Sequence, residues 1–190
     1  MRYFLAIPLP EEVKQKLHAF NVSLSKFKGL RLVSPDNMHL TLLFLGNNGV
    51  GGRVEALKKI KFSPFTLKTA KVSLFPEEGA FRLVWVDLKK SKELEDLQKK
   101  VSSHFDITKD YRPHITLARV RRLDKSEKRK LSKLVEDFNF PSLSIEVKNF
   151  KLYSSELTVL GPVHRVVEYF GASSERGESS RVVSFKKLKI

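Results

Sequence analysis

Two four-residue words constrain this chain more than anything else in it: His39-Leu40-Thr41-Leu42 and His114-Ile115-Thr116-Leu117, one in each half of the sequence. Each lies in a β-type run, Met38 to Leu45 and His114 to Val120. Successive side chains of a strand point to opposite faces, so His39 and Thr41 share one face while Leu40 and Leu42 take the other, and the second word repeats the arrangement. A fold that accepts both words needs an aliphatic core on one side of two strands and a polar cleft on the other.

The remaining pattern supplies elements to build that core. Arg2 to Ile7 reads as a strand, and Pro10-Glu11-Glu12 opens a helix with Val13, Leu17, Phe20 and Leu24 on one stripe. A short helix with Val54, Leu57 and Ile60 on one face follows, then two strands, Phe65 to Phe75 and Phe81 to Leu88, which close a first half. From Ser91 the pattern recurs: a helix with Leu94, Leu97 and Val101 inward, the second motif strand, and a helix around Leu131, Leu134, Val135 and Phe138. Strands over Leu143 to Tyr153 and His164 to Tyr169 finish the core. The expected fold is one compact α+β unit of two similar lobes. Residues 1–170 form that single domain, and residues 171–190, polar and Gly/Ser-rich before a basic apolar end, form an extension of unassigned role.

Paired imidazoles and paired hydroxyls suit a phosphodiester. With an ordinary pKa near ~6.5, one His can be a neutral base while its partner is an imidazolium acid. Thr41 and Thr116 can hydrogen-bond the non-bridging phosphate oxygens. A lone buried His-x-Thr is more often a satisfied core group; the matched pair favours chemistry. A metal site would need carboxylates or a third histidine, and Asp36 is the acidic residue nearest in sequence to either word. No metal and no cofactor are expected.

Charge points to the same class of substrate. The chain has 36 Lys+Arg against 21 Asp+Glu, a formal +15, which favours an anionic partner. Eight Lys/Arg and two Asp/Glu fall between Arg119 and Lys133, either a solvated helix face or a funnel for an RNA backbone. Cysteine is absent, which removes disulfides, thiolate catalysis and Cys-ligated metals and fits a reducing, cytoplasmic setting. MRYFLAIPLP lacks a signal-type apolar stretch, and no apolar run approaches the ~18 residues of a membrane span.

The words HLTL and HITL, with RYFLAIPLP, FRLVWVDL, RPHITLARV and SSELTVLGPVHRVVEYF around them, resemble the 2H phosphoesterase superfamily, in particular its RNA 2′,3′-cyclic phosphodiesterase branch, also called 2′-5′ RNA ligase. The likeness spans residues 1 to 170. It implies a bilobal α+β fold, two pseudo-symmetric antiparallel sheets flanking a central cleft with helices outside. It implies His39 as proton donor and His114 as proton acceptor in opening a 2′,3′-cyclic phosphate to a 2′-phosphate, and, in reverse, ATP-independent 2′-5′ ligation. The implied partner is RNA with 2′,3′-cyclic phosphate ends, tRNA fragments among the candidates, acted on by a monomer.

The resemblance also marks Phe44 as a substrate-contacting aromatic and Arg119 as a phosphate-binding Arg, each five residues after a motif His. Strict alternation puts an odd offset on the wrong face, so a strand end or bulge is required. Arg82 matches a family Arg, and Tyr111, just before the second word, can stack on a base. His18, His104 and His164 lack a Thr partner and are assigned structural or surface roles. Two other functions remain open: a related 2H enzyme acting on 2′-5′ oligonucleotides or small cyclic nucleotides, and a non-catalytic RNA-binding module. A nucleotide-dependent ligase is disfavoured, because no Lys-x-Asp-Gly word occurs and Gly49-Val50-Gly51-Gly52-Arg53 lacks the Lys-Ser/Thr of a phosphate loop.

Overall fold

The computed structural model describes residues 1–47, 50–76, 81–105, 107, 110–159 and 161–172. In chain order the elements are β1 (Arg2–Pro8), α1 (Glu11–Leu24), β2 (Leu30–Leu32), a 3-10 turn (Pro35–Asn37), β3 (His39–Gly46), α2 (Val54–Lys58), β4 (Phe65–Phe75), β5 (Leu83–Leu88), α3 (Lys92–Ser102), β6 (His114–Val120), α4 (Lys125–Asp137), β7 (Ser144–Val147), β8 (Asn149–Thr158) and β9 (Gly161–Gly171). Each long helix starts where its sequence says. Glu11 and Glu12 sit in the first turn of α1, Ser91 caps α3 through the Leu94 N–H, and Asp124 and Glu127 form a reciprocal capping box on α4.

All strand pairs are antiparallel, and the path runs β7-β4-β5-β6-β3-β1-β8-β9 with β2 on β6. It falls into two halves of four strands, β9-β8-β1-β3 and β6-β5-β4-β7, joined by the single ladder pair Leu40–Ile115. The halves are not halves of the chain. In the pattern β1-α1-β3-α2-β4 and its repeat β5-α3-β6-α4-β8, each repeat gives its last strand to the other: β4 pairs with β5, and β8 with β1. The strands over 65–88 therefore build the lobe of the second motif instead of closing the first.

The apolar run over 143–153 is also two strands. Lys148 alone joins β7, at one end of the path, to β8, next to the other end, so the sheet must curl until its ends approach. The Ala172 N–H closes this corner on the Lys148 carbonyl at 2.7 Å.

One core lies on the helix-covered face. Leu40, Leu42, Ile115 and Leu117 from the motif strands are buried there with Leu17 and Leu24 of α1, Leu94 and Leu97 of α3, and Leu131 of α4. Each such side chain contributes about 1.5–3 kcal/mol by leaving water. Helix α1 packs on β6 and α3 on β3, so each of these two helices covers the motif strand of the other repeat, while α4 packs on β4. Gly171 still belongs to β9, and residues 173–190 lie outside the described residues.

Candidate active site

Leu40 and Ile115 are fully buried toward the helices, so the residues flanking them, His39, Thr41, His114 and Thr116, project from the opposite face. An antiparallel ladder through that pair sets His39 beside Thr116 and Thr41 beside His114. The four groups named by the two words thus surround one point.

Both imidazoles are held alike. Nδ1 of His39 lies 2.8 Å from the carbonyl oxygen of Asn37, and Nδ1 of His114 lies 2.8 Å from that of Arg112. A carbonyl only accepts, so Nδ1 carries the proton in each ring and Nε2 is left for other chemistry. Beneath each ring is an aromatic floor: Phe4 stacks on His39 at 4.7 Å between centroids, and Trp85 on His114 at 4.2 Å.

Burial pushes the His39 pKa down to about 4, with His164, His114 and Arg119 adding positive potential and the Asn37 carbonyl opposing. His114 is lowered by the same desolvation, against which its Arg112 carbonyl and the carboxylate of Asp87 act. The two rings therefore differ, His114 having a carboxylate near it. Asp87 is itself held by the Ser73 hydroxyl.

The required bulges exist, and they are symmetric. Along β1, Leu5 pairs with Leu43 and Ala6 with Thr41, so Leu42 is an extra residue; along β5, Val84 pairs with Ala118 and Trp85 with Thr116, so Leu117 is extra. One added residue reverses the alternation downstream. Phe44 and Arg119 consequently return to the histidine face, Phe44 beside Phe4 at 6.0 Å. A bulge leaves a carbonyl without its ladder donor. At Leu117 that oxygen accepts from the Val33 N–H at 2.8 Å and from Nδ2 of Asn21, buried on α1, at 3.2 Å.

The other candidates divide. Arg82, by alternation from Trp85, falls on the face opposite the histidines, its carbonyl accepting from the Val120 N–H. Tyr111 is partly buried and its hydroxyl donates to the Thr41 carbonyl at 3.4 Å, so it braces the first motif strand; burial pushes its pKa up. Most of the basic run does not line the cleft. Residues 125–133 belong to α4, which packs on β4 in the helical layer, whereas Arg119 at the start of the run stands on the histidine face.

Three further residues reach the site without a motif to announce them. His164 of β9 meets the His39 ring edge to face at 5.5 Å and Phe4 at 5.0 Å, and its Nδ1 is buried without a hydrogen-bond partner among the described residues. Tyr153 of β8 stacks on Phe4 at 5.1 Å, and burial raises its pKa to about 12. Arg31 of β2 is the cross-strand neighbour of Arg119. A Cβ on Gly161, at φ +136°, would lie 2.2 Å from Nη2 of Arg31, so glycine there leaves room for the guanidinium. Two arginines directly opposite each other can hold one anion between their guanidiniums. Among the described residues no group of three or more His, Asp or Glu is arranged to hold a metal ion.

The family described as LigT-like phosphoesterase matches the chain twice, over residues 7–85 and 86–164, so each match carries one His-x-Thr word. An Archaeoglobus fulgidus protein named RNA 2′,3′-cyclic phosphodiesterase is 31% identical over 90% of this chain and 99% of its own length. A Thermotoga maritima protein of the same name is 35% identical, over 88% of this chain and 93% of its own. Among solved structures, a Thermus thermophilus protein aligns over 90% of this chain and 97% of its own with TM-score 0.73 at 28% identity. Escherichia coli LigT complexed with phosphate shares the fold, with TM-score 0.69 and 24% identity over 90% of this chain and 96% of its own. With both repeats matched, two histidine words on one face and symmetric bulges behind them, the chain belongs to the LigT-like phosphoesterase family.

Proposed function

We propose that this protein hydrolyses 2′,3′-cyclic phosphate ends of RNA to 2′-phosphates. The observation that carries the reading is the matched tethering of His39 and His114, each Nδ1 2.8 Å from the carbonyl two residues earlier, with both Nε2 atoms left for substrate. The names of the Archaeoglobus and Thermotoga relatives supply the substrate.

In the reaction, Nε2 of His114 takes a proton from water as its oxygen attacks phosphorus. The bond from phosphorus to the 3′ oxygen breaks, and His39 delivers a proton to that oxygen. Depressed pKa values leave both imidazoles neutral near pH 7 in the free protein. The acid's proton is therefore taken up together with the anionic substrate, whose charge favours the imidazolium. Thr41, Thr116 and Arg119 bind the non-bridging oxygens as charge builds. With a 5′-hydroxyl end in place of water, His114 takes the hydroxyl proton as that oxygen attacks phosphorus, the bond to the 3′ oxygen breaks, and His39 protonates it, making a 2′-5′ linkage without ATP. Residues 1–170 act as one domain and a monomer suffices, since both words lie in one chain.

The test is hydrolysis of an RNA oligonucleotide ending in a 2′,3′-cyclic phosphate, with the product phosphate position determined. His39→Ala and His114→Ala should each lose about 10²–10⁴ in rate. Full activity in either variant, or preference for 2′-5′ oligonucleotides, would overturn the reading.

A further inference from the structure

Beyond the reacting phosphate, the histidine face continues across the first half-sheet. Thr41 pairs with Ala6, Ala6 with Lys151 and Lys151 with Tyr169, one row across β3, β1, β8 and β9. Three strand spacings make that row about 14 Å long. Ala6 contributes only a methyl group to it. At the far end the Lys151 ammonium sits 4.6 Å from the centre of the Tyr169 ring, and that ring is 59% exposed.

The parallel row, Phe44 to Phe4 to Tyr153 to Val166, adds a second exposed aromatic, Phe44 at 61%. Exposed rings gathered on one face of a charged protein mark a binding surface. Lys151 has no carboxylate partner among the described residues, and burial together with Lys14 of α1 disfavours its charge, which an incoming phosphate would restore.

Among the described residues the second half-sheet offers no equivalent on this face. Phe75 and Trp85 there are stacked on each other at 4.4 Å, with the Arg112 guanidinium 5.6 and 5.0 Å from their centres, and Phe65 of β4 packs against the core. Its edge strand β7 has four residues and exposes Ser144 and Glu146. A carboxylate and a hydroxyl make a poor platform for a polyanion.

We infer that the face of β1, β8 and β9 is a track for single-stranded RNA, in which Lys151 takes the phosphate and Tyr169 stacks the base of a nucleotide on the 5′ side of the reacting end. The inference rests on the proposed RNA substrate and adds where its upstream nucleotides run. Aromatic stacking plus one phosphate contact is the recurring recipe for strand binding without base preference.

Binding of reaction products tests it independently of catalysis. The probes are an RNA trinucleotide ending in a 2′-phosphate and a nucleoside 2′-monophosphate, titrated into the full chain. Wild-type protein should bind the trinucleotide more tightly, and Tyr169→Ala should cut that ratio roughly ten-fold. Tyr169→Phe, which keeps the ring, should retain it. Lys151→Gln should lower the ratio and flatten its salt dependence. A merely destabilised variant would weaken both ligands and leave the ratio standing. A wild-type ratio near one, or ratios unchanged in Tyr169→Ala and Lys151→Gln, would overturn the track. Protein that shows the ratios but hydrolyses neither cyclic phosphate form would instead remove the hydrolase reading and leave the track in place.

Discussion

The rings of His39 and His164 meet edge to face, with centroids 5.5 Å apart and planes at 82°. His164 thereby walls off one side of the first motif histidine and contributes to holding it unprotonated. Its position depends on the β8–β9 hairpin, which is pinned to the turn before β3 by Asn37 Nδ2 donating to the Pro162 carbonyl at 2.9 Å.

Replacing that wall should move the titration of its neighbour. In His164→Ala the nearby imidazole is lost and the His39 ring is less buried, and both burial and that imidazole had lowered the His39 pKa. The His39 resonance, followed by NMR, should titrate higher by the order of one pH unit. An unmoved or lower titration would show that His164 does not set the environment of His39.

Activity should carry the same signature. Because both motif histidines are depressed in the free protein, the pH profile of kcat/KM should be bell-shaped with both limbs displaced below the ~6.5 of a free imidazole. The profile of kcat, measured with the substrate anion in place, should lie at higher pH. Coincident profiles centred above neutrality would contradict this.

Stability should fall on the acid side. A histidine whose pKa is lower folded than unfolded stabilises the protein fully above its unfolded pKa, and that stability is lost as pH falls from ~6.5 through about 4. For His39 the loss is about 3 kcal/mol. Urea denaturation at pH 7 and pH 4, compared between wild type and His39→Phe, checks it, with the variant expected to lose less.

Asn21 lies on α1, behind the sheet from the substrate, yet it should affect catalysis. Asn21→Leu removes the amide donor that shares the bulged Leu117 carbonyl with the Val33 N–H, and stability should fall by about 1–3 kcal/mol. A relaxed bulge also misplaces Arg119, so kcat/KM should drop roughly ten-fold or more at a temperature where the variant is folded. Loss of stability with unchanged kinetics would separate the bulge from the chemistry.

Gly161→Ala tests the arginine pair. The new methyl group must displace the Arg31 guanidinium, and the backbone angle of +136° is unfavourable for alanine. KM should rise several-fold, as it should in Arg31→Ala. An unaltered KM in both variants would mean that Arg31 does not bind the phosphate.

Much of the site was legible because its signal is local. Histidine and threonine two residues apart in an apolar run declare a face, and the caps and stripes of α1, α3 and α4 lie within single segments. His164 carried no such mark. Its role comes from β8 and β9 joining the sheet beside β1, and a histidine at a strand start reads the same whether it meets solvent or another imidazole. Arg82 shows the converse: a favourable word around it says nothing of which face the residue takes, and that is set by alternation from Trp85 three positions later.

That two strands would each present a histidine and a threonine to one side follows from local alternation, a property of each strand alone. That Phe44 and Arg119 join them, that Asn21 holds the bulge, and that the two repeats exchange β4 and β8 depends on how distant strands pair. A bulge exists only relative to a partner strand. Here the partners are Leu5–Leu43 and Val84–Ala118, pairs whose members lie far apart in the chain and are brought together by burial of the shared core.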